Sequence, residues 1–97
     1  MDTSQQIEDV RVRINQTDQQ LLQILSQRAA HVLAIGQIKS AAGMAVYDPN
    51  RERKILERIR ELNPGPLSDE AIARLFERII DESRALERHV TEQGQER

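Results

Sequence analysis

From Ile7 to Ser40 the chain runs about 34 residues without a proline, and without a glycine until Gly36. Along this stretch Ile7, Val10, Ile14, Leu21, Ile24, Ile35 and Ile38 recur at helical spacing, with a second stripe at Leu22, Leu25, Ala29 and Val32. The pattern predicts one long amphipathic helix, on the order of 50 Å in length at a rise of roughly 1.5 Å per residue. A compact domain of 97 residues is narrower than that, so a lone chain cannot cover the stripe. Into the stripe, where the repeat calls for another aliphatic, the sequence places Arg28, and three turns further along the same face it places Lys39. A cation seated in a buried stripe demands an anionic partner.

The rest of the chain completes an all-α reading. Gly43 and the segment Ala41 to Tyr47 interrupt the long helix, and Asp48 followed by Pro49 begins a second one. That helix carries Ile55, Leu56, Ile59 and Leu62 and stops at Asn63-Pro64-Gly65-Pro66. Ser68 caps a third, whose apolar face is Ile72, Leu75, Phe76, Ile79, Ile80, Leu86 and Val90. The expectation is three helices per chain (long, short, medium) at about 5–41, 49–62 and 68–91, in a single domain over 1–97 with a polar, fraying end from Thr91. Two chains with their long helices side by side would bury what one leaves bare, so a homodimer is expected.

Composition removes several classes of function. With no cysteine there is no disulfide or thiol chemistry, and the two histidines lie too far apart in sequence to suggest a metal site. A net charge of −2 provides no field to recruit nucleic acid or an acidic membrane. The first residues lack the apolar segment of a secretory signal, and no run approaches the roughly 18 apolar residues of a membrane span. A cytoplasmic location is the simplest expectation.

The informative residues are those whose type conflicts with their face. Arg28, Ile35 and Lys39 share one side of the first helix, Asp48, Arg51 and Glu52 cluster on the first turn of the second, and Ser83 and Glu87 continue the stripe of Phe76 and Ile80 on the third. Each has an ordinary alternative. Arg28 could snorkel to the surface, Lys39 could complement a helix C-terminus, Asp48 could act only as a cap, and Arg51 and Glu52 could be solvated charges. Glu87 could pair with Arg84 one turn back, and Ser83 could be helix filler. Tyr47 suits packing over the bundle end, and His31 the core or an interface. The coincidence of so many positions, with all three helices turning polar groups toward one region, is how helical bundles build sites.

At these residues the chain resembles the all-helical chorismate mutases. The likeness is carried by Val10-Arg11 with Ile14 and Asp18-Gln19-Gln20-Leu21-Leu22; by Gln27-Arg28 with Ile35-Gly36-Gln37-Ile38-Lys39; by Tyr47-Asp48-Pro49-Asn50-Arg51-Glu52-Arg53; and by Leu75-Phe76 with Ile79-Ile80 and Ser83. The resemblance implies an intertwined dimer of three-helix chains that rearranges the dianion chorismate to prephenate without cofactor or metal. It implies that Arg28 and the partner's Arg11 grip the two carboxylates, and that Lys39 donates to the ether oxygen. Glu52, with the backbone near Asp48, would hold the ring hydroxyl; Arg51 and Ser83 would support ring and carboxylate; Ile35 and Ile80 would form apolar walls. The residues themselves agree on one point. Arg11 lies about 25 Å along the same helix from Arg28, too far for both to touch one small metabolite within a single chain.

Two positions depart from the family's pattern. Glu87 stands where a glutamine is usual opposite the lysine, and an ionised carboxylate only accepts hydrogen bonds, so it assists the ether oxygen only when protonated. Burial would raise its pKa and Lys39 would lower it. Arg84 stands where an apolar residue is more usual. The alternatives to a mutase are an isochorismate-pyruvate lyase of the same fold, which uses a similar cationic pocket, and a non-catalytic helical dimerisation module. The Asp48 to Arg53 stretch and the longer loop before it favour the mutase.

Overall fold

The computed structural model describes the backbone of residues 2–95 and the side chains of residues 2–90. Three helices follow in order, α1 (Thr3–Ala41), α2 (Pro49–Leu62) and α3 (Asp69–Gln95), and no strand occurs among the described residues. The all-α expectation holds. The first helix starts earlier than its apolar pattern suggests because Asp2 caps it, its side chain accepting the Gln5 N–H at 2.7 Å and its carbonyl the Gln6 N–H at 3.1 Å. The third continues to Gln95 rather than stopping near 91.

The chain falls into two compact units, Met1–His31 and Val32–Arg97. The first unit is helical from Thr3 onward. No described side chain in it is buried, and Ile7, Val10, Ile14, Leu21 and Ile24 are between 47% and 59% exposed. His31, expected in a core or interface, is exposed within the chain.

In the second unit α2 packs against α3. Ile55, Leu56 and Ile59 of α2 and Ile72, Phe76, Ile79 and Leu86 of α3 are half-buried, while Ala73 and Ile80 are the most enclosed, at 3% and 7% exposure. Leu75, read onto the same face, is 53% exposed. Ala73, Phe76 and Ile80 follow one three-and-four line, whereas Leu75 shares the spacing of Ile72 and Ile79 but lies at the edge of the face.

The connections are built by local chemistry. At the end of α1 the Met44 N–H reaches the Lys39 carbonyl at 2.8 Å and the Gly43 N–H the Ser40 carbonyl at 3.1 Å, a Schellman arrangement with Gly43 at φ +71°. Asp48 caps α2 by accepting the Arg51 N–H at 3.1 Å, with Pro49 in the first helical position. Between α2 and α3, Asn63 donates to the Leu67 carbonyl and the Asp69 carboxylate, both at 2.8 Å, and accepts the Gly65 N–H at 3.0 Å. Ser68 then caps α3 through the Ala71 N–H at 3.1 Å. No helix among the described residues is long and apolar enough to cross a membrane.

Candidate active site

Lys39 sits in the last turn of α1, where the Schellman hydrogen bonds hold its backbone, and its side chain is half-buried. One turn earlier stands Gly36, and the carboxylate of Glu87 from α3 lies against it. A Cβ at position 36 would stand 3.3 Å from the Glu87 Oε2. Glycine is therefore what lets a carboxylate of α3 approach the backbone of α1 this closely. Burial pushes the Glu87 carboxyl above its ordinary range, and the Lys39 ammonium pulls it partly back, leaving it raised. Of the two influences foreseen from sequence, burial is the larger. When protonated, such a carboxyl beside an ammonium makes a second hydrogen-bond donor.

A second group of polar residues forms where α2 begins and α3 is midway along its length. Glu52 is not the solvated charge of its ordinary alternative: its side chain is 23% exposed and both oxygens meet Nη2 of Arg84, at 2.9 and 3.1 Å. Arg84 also reaches Asp81 at 3.3 Å, and its guanidinium carbon lies 4.7 Å from the centre of the Tyr47 ring. Asp48 and Arg51 are exposed, the Asp48 carboxylate being engaged in its capping bond. Ser83 is half-buried and donates its hydroxyl to the Ile79 carbonyl at 2.8 Å, a common back-bond within a helix. Ile80 is buried, and Ile35 is 54% exposed within the chain. A cleft of about 310 Å³ lined by Val46, Tyr47, Arg84, Glu87 and Arg88 lies in the same unit. That volume is in the range of small-molecule sites.

In the first unit Arg28 is half-buried, as either a snorkelling arginine or one whose head is used would be. Arg11 is exposed, with Glu8 at 3.9 Å in a solvated pairing that contributes little. Among the described residues no group of three or more histidines, aspartates or glutamates is placed to hold a metal.

The structure brings Lys39 and Glu87 together, and it joins Glu52 to Arg84, a residue whose orientation the sequence left open. The close approach at Gly36 was also missed, although a glycine inside a helix, one turn from a candidate site lysine, is a usable signal of it.

Comparison with known proteins bears on this arrangement. The family model described as chorismate mutase type II matches residues 10–88. The chain is 46% identical over 78 residues to the bifunctional chorismate mutase/prephenate dehydratase of Neisseria gonorrhoeae, covering 80% of this chain and 21% of that protein. It is 28% identical over 92 residues to the chorismate mutase of Methanocaldococcus jannaschii, covering 94% of this chain and 93% of that protein. The chain thus spans about a fifth to a quarter of the bifunctional relatives it matches, and nearly all of the shorter one. The structure of chorismate mutase (form II) from Thermus thermophilus aligns with a TM-score of 0.83 at 35% identity, covering 86% of this chain and 94% of that one. A family match that runs through all three helices, together with a fold shared over most of both chains, establishes that this chain belongs to the chorismate mutase type II family.

Proposed function

We propose that this chain catalyses the rearrangement of chorismate to prephenate, as a homodimer. The observation that carries the reading is the pairing of Lys39 with a Glu87 whose carboxyl is raised by burial and seated on Gly36. In this reaction one C–O bond breaks as one C–C bond forms within the same molecule, and negative charge builds on the ether oxygen. Atoms and electrons balance without a nucleophile, base or cofactor. What accelerates such a step is confinement of a flexible dianion in its compact reactive form, and donors placed beforehand at the oxygen that gains charge.

In the proposed mechanism Lys39 donates to the ether oxygen from one side and protonated Glu87 from the other. Arg28 and Arg11 of the partner subunit hold the two carboxylates as charge-assisted pairs. Glu52, with the backbone near Asp48, holds the ring hydroxyl, the Glu52 carboxylate accepting its hydrogen bond; Arg51 and Ser83 support the ring and a carboxylate. For Ser83 to donate, its single proton must leave the Ile79 carbonyl. Ile35 and Ile80 wall the ring. The exposed apolar residues of α1 are the surface a second copy would cover.

The test is an ultraviolet assay of chorismate consumption with the product identified, and isochorismate offered in parallel. Prephenate from chorismate is the expected result. Salicylate and pyruvate from isochorismate would assign the chain to lyase chemistry, and no turnover of either would make it an interaction module.

A further inference from the structure

Arg84 joins three parts of the second unit. It projects from the middle of α3, reaches Glu52 on the first turn of α2 across 32 residues of sequence, and lies over the ring of Tyr47 from the preceding connection. A single nitrogen, Nη2, meets both carboxylate oxygens of Glu52, at 2.9 and 3.1 Å, and Asp81 at 3.3 Å. These bonds from one nitrogen, together with the Tyr47 ring 4.7 Å from the guanidinium carbon, hold the cation beside Glu52 with the Arg84 side chain 35% exposed. A cation held in this place in turn biases the orientation of the carboxylate it meets. An ionised carboxylate has about four acceptor positions. The bonds to Arg84 leave capacity on Glu52 for a hydroxyl donor.

The guanidinium is also not used up by the protein. Its Nε is enclosed and has no hydrogen-bond partner among the described residues. An enclosed donor left unmatched costs about 1–3 kcal/mol, so hydrogen-bond satisfaction alone does not account for this placement. The same side chain lines the cleft that Glu87 lines. Arg84 therefore stands between the position holding the donor for the ether oxygen and the position assigned to the ring hydroxyl.

We propose that Arg84 is a positioning residue: it orients the Glu52 carboxylate toward the substrate's ring hydroxyl and thereby sets preference for substrates that carry one. The proposal rests on the mutase reading above. Because hydroxyl recognition acts on bound substrate and transition state alike, loss of Arg84 falls mainly on KM.

The experiment is a double-substitution cycle with chorismate, using Arg84→Met, Glu52→Gln and the pair, with kcat, KM and Tm measured for each. Arg84→Met is expected to lower kcat/KM by roughly tenfold to a hundredfold, through KM. In the Glu52→Gln background the same change is expected to add less than about twofold, since there is no longer a carboxylate to orient. Arg84→Lys, which keeps a cation within reach of Glu52, should recover part of the loss, and it carries the test if the methionine variant does not fold. Losses that multiply, or a methionine variant with unchanged kcat/KM, overturn the positioning role while leaving the mutase reading intact. An unaltered chain that leaves chorismate unchanged overturns the mutase reading and this role with it.

Discussion

In the mechanism proposed above, Glu87 sets the pH range of a reaction that moves no proton. Its raised pKa means the folded chain binds that proton more tightly than the unfolded chain, so its stabilising contribution is complete below the ordinary value of 4.5 and is lost as pH rises through the raised one. The catalytic assistance proposed for Glu87 follows the same direction, because the ionised form cannot donate. Glu87→Gln should therefore extend kcat toward alkaline pH, and its Tm advantage over the parent should grow as pH climbs from 4.5; pH–rate profiles and melting curves on both proteins check this. Lys39→Ala should lower kcat by a hundredfold or so with only a modest change in KM, since its donation grows in the transition state. Gly36→Ala separates folding from function. A methyl group 3.3 Å from Oε2 meets the tip of a movable side chain, so the helix should gain up to about 1 kcal/mol while kcat falls as Glu87 is displaced. A Gly36→Ala protein with unchanged kcat would show that this seat has no part in turnover. None of these geometries is visible in a linear pattern: the sequence names Lys39 and Glu87 as opposed influences, and only their packing tells which prevails.

At the level of the helices, most of the fold was legible because ends and turns are chosen by local chemistry. Asp48-Pro49 and Ser68 announce helix starts through side chains that accept N–H bonds a few residues on, and those bonds are present. Gly43 announces an end through its positive φ. Substituting alanine for Gly43 meets no steric obstacle, since nothing lies within 4 Å of the added Cβ, so its cost is conformational, about 1–2 kcal/mol. Chemical denaturation should report that loss as a shift in midpoint with unchanged slope. Less legible was Asn63, whose hydrogen bonds shape the connection from α2 to α3, because a residue ahead of a Pro-Gly-Pro run looks like any helix terminator. The stripe of α3 was assigned correctly in its spacing, with Leu75 at its exposed edge and Ala73, the most enclosed residue, overlooked. Small side chains carry little hydrophobic signal even where they mark the closest contact.

For the molecule as a whole, the exposed stripe of α1 carries the prediction. If a second copy covers it, melting temperature should rise with protein concentration, and activity per chain should fall on dilution, because assembly binds the folded state alone. Sedimentation across the same concentrations should show monomer appearing as activity is lost; a monomer of constant activity would remove the dimer from the mechanism. What the amino-acid order determined by itself was the class of fold, the three helices and the cations set within their apolar faces, since periodicity, caps and breakers act over a few residues and need no partner to be read. What only the tertiary structure decided was which groups meet: Glu52 with Arg84 across 32 residues, and Glu87 with the backbone of Gly36. Those pairings depend on how helix faces turn toward one another, a long-range outcome of packing and desolvation that no local spacing encodes.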